Sequence, residues 1–236
     1  MDDLIALFIA LLPAALCWTA AYAFCRLALR SRSPDFSNRV VSIAHAVLAT
    51  ALAVPSLDWA RPLATVGQAN TAAQTLCMRV SLAYFLYDTL CCFFIDFDPM
   101  GLAHHLCTIA GLLVGVRDGR CGTELVACLL LMEVSNPSMH LNQLLKELKR
   151  GDTRLAAANQ ALFALIFFVC RLVVGPVVVY RTVVSPTTPL VVKAGGVGIL
   201  LVSLLWFNKI AQIALYKFRK AGKKGGGAAA RKKSKH

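Results

Sequence analysis

Charge is what this chain lacks most. Charged residues make up 16% of its 236 residues and apolar ones 58%, against about 25% and about 45–50% in an ordinary soluble domain. A water-soluble globular fold is excluded on that ground, and an integral membrane protein is expected. Several chemical signatures are missing as well. No CxxC pair has zinc spacing, no Gly-rich loop is built for phosphate, and no GxSxG elbow presents a serine nucleophile. Histidine-rich membrane oxygenases need several separated histidine boxes, whereas this chain has five histidines, one of them terminal. No zinc or iron site and no resident cofactor is expected. The nine cysteines do not read as a disulfide framework: Cys17, Cys77, Cys91, Cys92, Cys107, Cys128 and Cys170 lie inside apolar stretches, where they act as small hydrophobes.

What the chain has in abundance is apolar run. A crossing needs about 20 such residues, and seven candidates follow one another: Leu4 to Cys25, Val40 to Val54, Leu76 to Ile95, Leu102 to Val116, Thr123 to Leu141, Leu155 to Tyr180 and Leu190 to Leu215. Breaks at Pro55 with Pro62, Asp96 to Pro99, Arg117 to Gly119, Lys149 to Asp152 and Ser185-Pro186 are turn chemistry. The first run begins with Asp2 and Asp3 rather than basic residues, and its apolar core exceeds the 7–15 residues of a signal peptide, so it reads as a retained helix. The fold class expected is an all-α membrane bundle of about seven transmembrane helices: 1–38 a first helix and basic loop, 39–216 the main bundle, 217–236 a disordered basic tail. With the amino terminus outside, seventeen lysines and arginines fall on the cytosolic side and five outside. That asymmetry obeys the positive-inside rule and puts the carboxyl terminus in the cytosol.

Net charge is +13, yet nine basic residues and no acidic one lie from Lys217 onward, leaving +4 for the rest. Nucleic-acid binding would want basic residues interleaved with aromatics on a folded surface. Here Gly225 to Gly227 and Ala228 to Ala230 separate two lysine-rich runs. The expected partner is anionic lipid headgroups, at about 1 kcal/mol per basic residue near the surface, with a plain topology signal as the alternative.

Against this background Asp88, His104, His105, Glu133 and His140 stand out. Each charge at bilayer depth costs roughly 2.5–3.5 kcal/mol on insertion scales, so groups kept there normally have a use. Counted along the helices they fall, with His45, in the cytosolic half of four of them, which predicts a hydrated, inward-facing cavity. Glu133, Asn136, Pro137 and His140 share one helical face, and Pro137 predicts a kink there. His104, Thr108, Gly111 and Gly115 share another, with His105 turned about 100° away. Structural readings stand beside the functional one: Glu133 as the ion-pair partner of Arg171, Arg79 as a snorkelling side chain, and one of the two histidines as a hydrogen-bonded structural group.

The ordered segments Tyr84-Phe85-Leu86-Tyr87-Asp88, Leu102 to Gly111 with its His104-His105 pair, Gly122-Thr123-Glu124-Leu125, Glu133-Val134-Ser135-Asn136-Pro137 and Arg171 to Gly175 resemble the TLC-domain family, which includes the ceramide synthases. Val184 to Thr187 and Lys193 to Val197 resemble one small uncharacterised branch of it. The resemblance covers about Arg39 to Lys217. It implies a helical bundle around a lipid-accessible cavity, in the endoplasmic reticulum rather than the plasma membrane, acting in lipid homeostasis. It also implies acyl transfer from acyl-CoA, with His104 or His105 as the base, supported by Asp88 and Glu133. Tyr84, Tyr87, Asn136, His140 and Arg171 are the candidate lipid contacts. The chain departs from the ceramide synthases in having no aspartate in the stretch Leu129 to Lys146. Two further readings therefore stand, a non-catalytic lipid carrier or regulator and a proton-coupled transporter.

Overall fold

The computed structural model describes the backbone of residues 2–95 and 97–233, and the side chains of residues 5–95 and 97–216. The order is α1 (Asp2–Ala28), α2 (Pro34–Ser56), α3 (Ala72–Phe94), α4 (Pro99–Arg117), α5 (Gly122–Glu133), α6 (Asn136–Glu147), α7 (Arg154–Phe167), a π-helical stretch (Phe168–Val174), α8 (Gly175–Val184) and α9 (Leu190–Lys233). No strand is present among the described residues; Ala69 and Arg120 form one isolated antiparallel bridge. The basic stretch from Lys217, with its expected disorder and headgroup contact, lies outside the described side chains.

Local chemistry sets the helix starts. Ser33 caps α2 by accepting from the N–H of Phe36, with Pro34 behind it, so this helix begins six residues before the apolar run at Val40. Thr71 and Gln74 close a reciprocal capping box on α3, and the Asp98 side chain and Pro99 start α4. Such caps satisfy N–H groups that lipid cannot.

Six helices among the described residues are long and apolar enough to cross a membrane: Ile5–Ala28, Pro34–Ser56, Ala72–Phe94, Pro99–Arg117, Arg154–Val184 and Leu190–Tyr216. The difference from the expected seven lies at Thr123 to Leu141, where α5 and α6 replace one helix. Each has 12 residues, about 18 Å of rise, too short alone for a hydrocarbon core of about 30 Å. The cause is the sequence Val134-Ser135-Asn136-Pro137, in which proline cannot donate to the carbonyl four residues back.

Hydrogen bonds fix where the broken pair begins and ends. At the start of α5, Thr123 meets Thr65 at 2.6 Å and Gln74 at 3.2 Å. The buried Glu124 carboxylate accepts from the N–H of Gly67 and the hydroxyl of Thr188. Gly67 has φ +74°, and a Cβ there would run into the hydroxyls of Thr187, Ser185 and Thr188. At the end of α6, Glu147 accepts from the backbone N–H and hydroxyl of Ser33 at 3.0 and 2.6 Å, at the opposite end of α2.

The packed centre joins α1 to α5: Leu11, Val41, Ala53, Met78, Leu82, Phe85, Leu112 and Val126 are buried in one cluster. Large apolar side chains such as Ile9, Leu16, Phe24, Leu165, Val177 and Leu201 stay exposed on the periphery. A soluble protein does not leave so many uncovered; acyl chains are their natural solvent.

Candidate functional site

Inside the bundle, toward the Ser33–Glu147 end, lies a cavity of about 580 Å³. Its wall contains Tyr84, Asp88, His104, His105, Glu133, Asn136, His140 and Arg171, so eight of the nine residues singled out from sequence come together. The ninth, Tyr87, is buried behind the wall, where its hydroxyl donates to Asn38 Oδ1 at 2.7 Å. A second cavity, a narrow slot of about 40 Å³, runs from His104 and Phe85 between α4, α5, α8 and α9 toward Glu124. Its wall includes Gly111, Leu125, Leu129, Val179 and Gly196. Among the described residues, only Phe85 and His104 line both spaces.

Small residues let these helices close around the slot. A Cβ on Gly195 would meet the carbonyl oxygen of Cys107 at 3.3 Å, and one on Gly111 would meet Leu125 at 3.2 Å. On Gly196 it would sit 3.8 Å from Val179 in ordinary contact. Gly111 lies on the His104 face of α4, so the close helix approach falls beneath that histidine.

Two polar chains organise the wall. In the first, Asn38 carries the Tyr87 hydroxyl on its oxygen and donates its Nδ2 to Asp88 Oδ1 at 3.0 Å. Asp88 Oδ2 stands 3.5 Å from His105 Nε2, and His105 Nδ1 is 3.7 Å from the sulfur of Cys92. Asp88, Cys92 and His105 each offer a donor atom within 4.8 Å of the others. By number that matches a three-ligand metal site. The sulfur and the carboxylate nevertheless address opposite ring nitrogens, whereas one ion takes one nitrogen of an imidazole.

The second chain holds Glu133 and Arg171 together without direct contact. Asn136 donates to Glu133 Oε2 at 3.1 Å and accepts from Arg171 Nη2 at 3.2 Å. The same Nη2 donates to the Met132 carbonyl at 2.9 Å, beside the break between α5 and α6. The sequence reading of a Glu133–Arg171 ion pair thus becomes a pair bridged by an amide. Glu133 Oε2 is also 3.5 Å from His45 Nδ1, and the His45 ring stacks on Tyr84 with centroids 3.7 Å apart. Arg171 sits in the π-helical stretch, where Gly175 N–H bonds to the Cys170 carbonyl five residues back. Pro176 next to it has no N–H to continue the α pattern, and the widened turn is the kind often found at functional sites. The guanidinium lies 4.9 Å from the Phe167 ring and 5.6 Å from Trp206, and Trp206 in turn is 5.4 Å from His104.

Unpartnered atoms mark where something else belongs. His104 Nδ1, His140 Nδ1, Glu133 Oε1, and Nε and Nη1 of Arg171 are buried with no hydrogen-bond partner among the described residues. Leaving such groups bare costs roughly 1–3 kcal/mol each. These belong to residues on the wall of the larger cavity, which suits water or a polar ligand there; Ser37 Oγ, His45 Nδ1 and Ser203 Oγ also lack a hydrogen bond among the described residues but lie off that wall. Both adjacent histidines face this space, although their 100° offset argued for one alone. His105 is engaged at both nitrogens, while His104 stands at the junction of chamber and slot.

Sequence reasoning missed Asn38, Cys92 and Trp206. Asn38 was hidden because α2 was read as starting at Val40, although Ser33-Pro34-Asp35 is a capping signal. Cys92 was absorbed into an apolar run. Arg79, expected to snorkel, is exposed.

The family model for the TLC domain matches residues 35–212, three quarters of the chain and every residue of the cavity wall named above.

Proposed function

The chain belongs to the TLC-domain family, and from that premise we propose that it binds an amphiphilic lipid, head in the polar chamber and chain in the slot, and acts in membrane lipid homeostasis as an acyl-CoA-dependent acyltransferase. The observation that carries this reading is the position of His104, common to a polar-walled chamber and an apolar slot. An acyl-CoA has the same two-part character, with its thioester at the join. The slot as it stands admits only the first carbons of a chain; a chain that parts α4, α5, α8 and α9 along it brings the carbonyl to His104, and the unpartnered Nδ1 takes the proton of an attacking amine or hydroxyl. A positioned base of this kind contributes about 10²–10⁴-fold. Arg171 and Asn136 hold the headgroup side.

α5 and α6 together form a seventh crossing in this reading, because α5 starts beside Gln74 at the beginning of α3, which is tied to Ser56 at the end of α2, while α6 ends on Ser33 at the start of α2. Arg26, Arg30, Arg32, Arg39, Lys146, Lys149 and Arg150 then share the face onto which the chamber opens. By the positive-inside rule that face is cytosolic, where acyl-CoA is supplied, and the amino terminus lies outside. The endoplasmic reticulum is the proposed membrane. The basic tail from Lys217 adds attraction to anionic headgroups.

The test is transfer from labelled acyl-CoA to amine and lyso-lipid acceptors by the purified protein. The expected outcome is a product that falls at least 100-fold in His104→Ala while lipid co-purification persists. Lipid bound with no product in either protein would instead make this a carrier, the reading that the unpartnered polar atoms also suit. A pH-gradient-driven flux into liposomes would point to a transporter.

A further inference from the structure

Resting on the acyl-transfer reading above, we propose that Cys92, His105 and Asp88 form a nucleophilic triad, and that Cys92 carries the acyl group as a thioester between the two halves of the reaction.

The arrangement is that of a nucleophile, a base and an orienting carboxylate in line. The Cys92 sulfur is 3.7 Å from His105 Nδ1. The opposite nitrogen, Nε2, is 3.5 Å from Asp88 Oδ2. Asp88 is in turn held at its other oxygen by Asn38, and Asn38 by Tyr87, so the carboxylate is fixed from behind. Asp88 and Cys92 are four residues apart on α3 and therefore one above the other on the same face, with the α4 imidazole reaching between them. All three line the chamber. Next to them, 5.9 Å from His105 between ring centroids, the buried His104 keeps an unpartnered Nδ1. A single metal ion would instead draw the sulfur and the carboxylate to one ring nitrogen.

In the first half, Cys92 passes its thiol proton to His105 Nδ1 and its electron pair to the carbonyl of the acyl-CoA. The new S–C bond forms as the bond to coenzyme A breaks, and the departing thiolate recovers the proton from Nδ1. In the second half, an amine or hydroxyl attacks the Cys92 thioester. The acceptor's proton, taken by His104, returns by way of His105 to the Cys92 sulfur. One thioester is exchanged for another and then for an amide or ester, so no oxidant or reductant is required. Asp88 stabilises the imidazolium during both halves.

The experiment uses full-length protein, alkyne-tagged palmitoyl-CoA and no acceptor, with the modified residue mapped by mass spectrometry. The expected result is a hydroxylamine-labile acyl group on Cys92 that is discharged into product when acceptor is added. It falls at least tenfold in Cys92→Ala and His105→Gln and persists in Cys91→Ala. Thermal melts of each variant establish that it is folded, and the iodoacetamide alkylation rate of Cys92 is expected to drop in His105→Gln even where turnover is too slow to read. Product formed by Cys92→Ala at the wild-type rate would overturn the covalent step and leave acyl transfer standing. Neither label nor product in the wild type would overturn both. Stoichiometric zinc lost in Cys92→Ala would make the three side chains a metal site and end the proposal.

Discussion

At the scale of single residues, the site depends on amides more than on charges. Asn136 touches both members of the Glu133–Arg171 pair, and Asn38 performs the same service for Tyr87 and Asp88. Each amide gives one donor and one acceptor to the buried groups on either side of it. Replacing Asn136 by Leu strips a partner from two buried groups at once, at about 1–3 kcal/mol for each group left bare. Thermal melts in detergent are expected to show Asn136→Leu strongly destabilised, with Glu133→Leu and Arg171→Met added to it costing less than the sum of the single changes. Additive losses would mean that the three side chains do not act together. The charged residues were legible in sequence because charge in an apolar run is conspicuous. The amides were less so: Asn136 stood on a marked helical face, whereas Asn38 lay in what looked like a loop.

At the scale of elements, the helices were legible from hydropathy, but their starts were not, because the helices capped by Ser33, Thr71 and Asp98 begin three to six residues before the apolar runs they carry. Two departures have backbone causes. The α5–α6 break follows from Pro137, which the sequence reading took as a kink rather than an interruption. The π-helical stretch around Arg171 depends on Gly175 bonding five residues back, a register that side-chain periodicity does not reveal. The broken pair needs an anchor at its far end, and Glu147 supplies one. Ser33, through its hydroxyl first and its N–H second, holds the Glu147 carboxyl below the usual range. A carboxyl with a depressed folded-state pKa stabilises the fold above its unfolded value, about 4.3, and loses that contribution as pH falls through the folded value. The melting-temperature gap between wild type and Glu147→Gln is therefore expected to be open at pH 7 and to close below about pH 4. A gap independent of pH would remove the ionised carboxylate from the account.

For the molecule as a whole, the sequence predicted both a polar chamber in one half of the bundle and a strongly asymmetric distribution of basic residues. The described residues gather the chamber as expected. What no single-chain pattern could supply was the slot, because it is made by α4, α5, α8 and α9 at once, from glycines and aliphatic residues that look like ordinary span. The proposed seven crossings put the Gly119 turn outside and the Gly151 turn in the cytosol. A Cβ at Gly119 has open space around it, which makes that turn a suitable insertion point. A glycosylation acceptor inserted after Gly119 is expected to be modified in microsomes and one after Gly151 to remain bare; the reverse pattern, or modification of both, would contradict the orientation.

The central claim is that one amphiphile spans both spaces, with its carbonyl beside His104. Photo-crosslinking with an acyl-CoA carrying a diazirine at the far end of the chain tests it most directly. Adducts on Gly111, Leu125 or Val179 are expected, and Gly196→Leu, which fills the slot, should remove them at least fivefold while Gly196→Ala leaves them in place. Adducts confined to the lipid-facing periphery, such as Leu165 or Leu201, and indifferent to Gly196→Leu would contradict it.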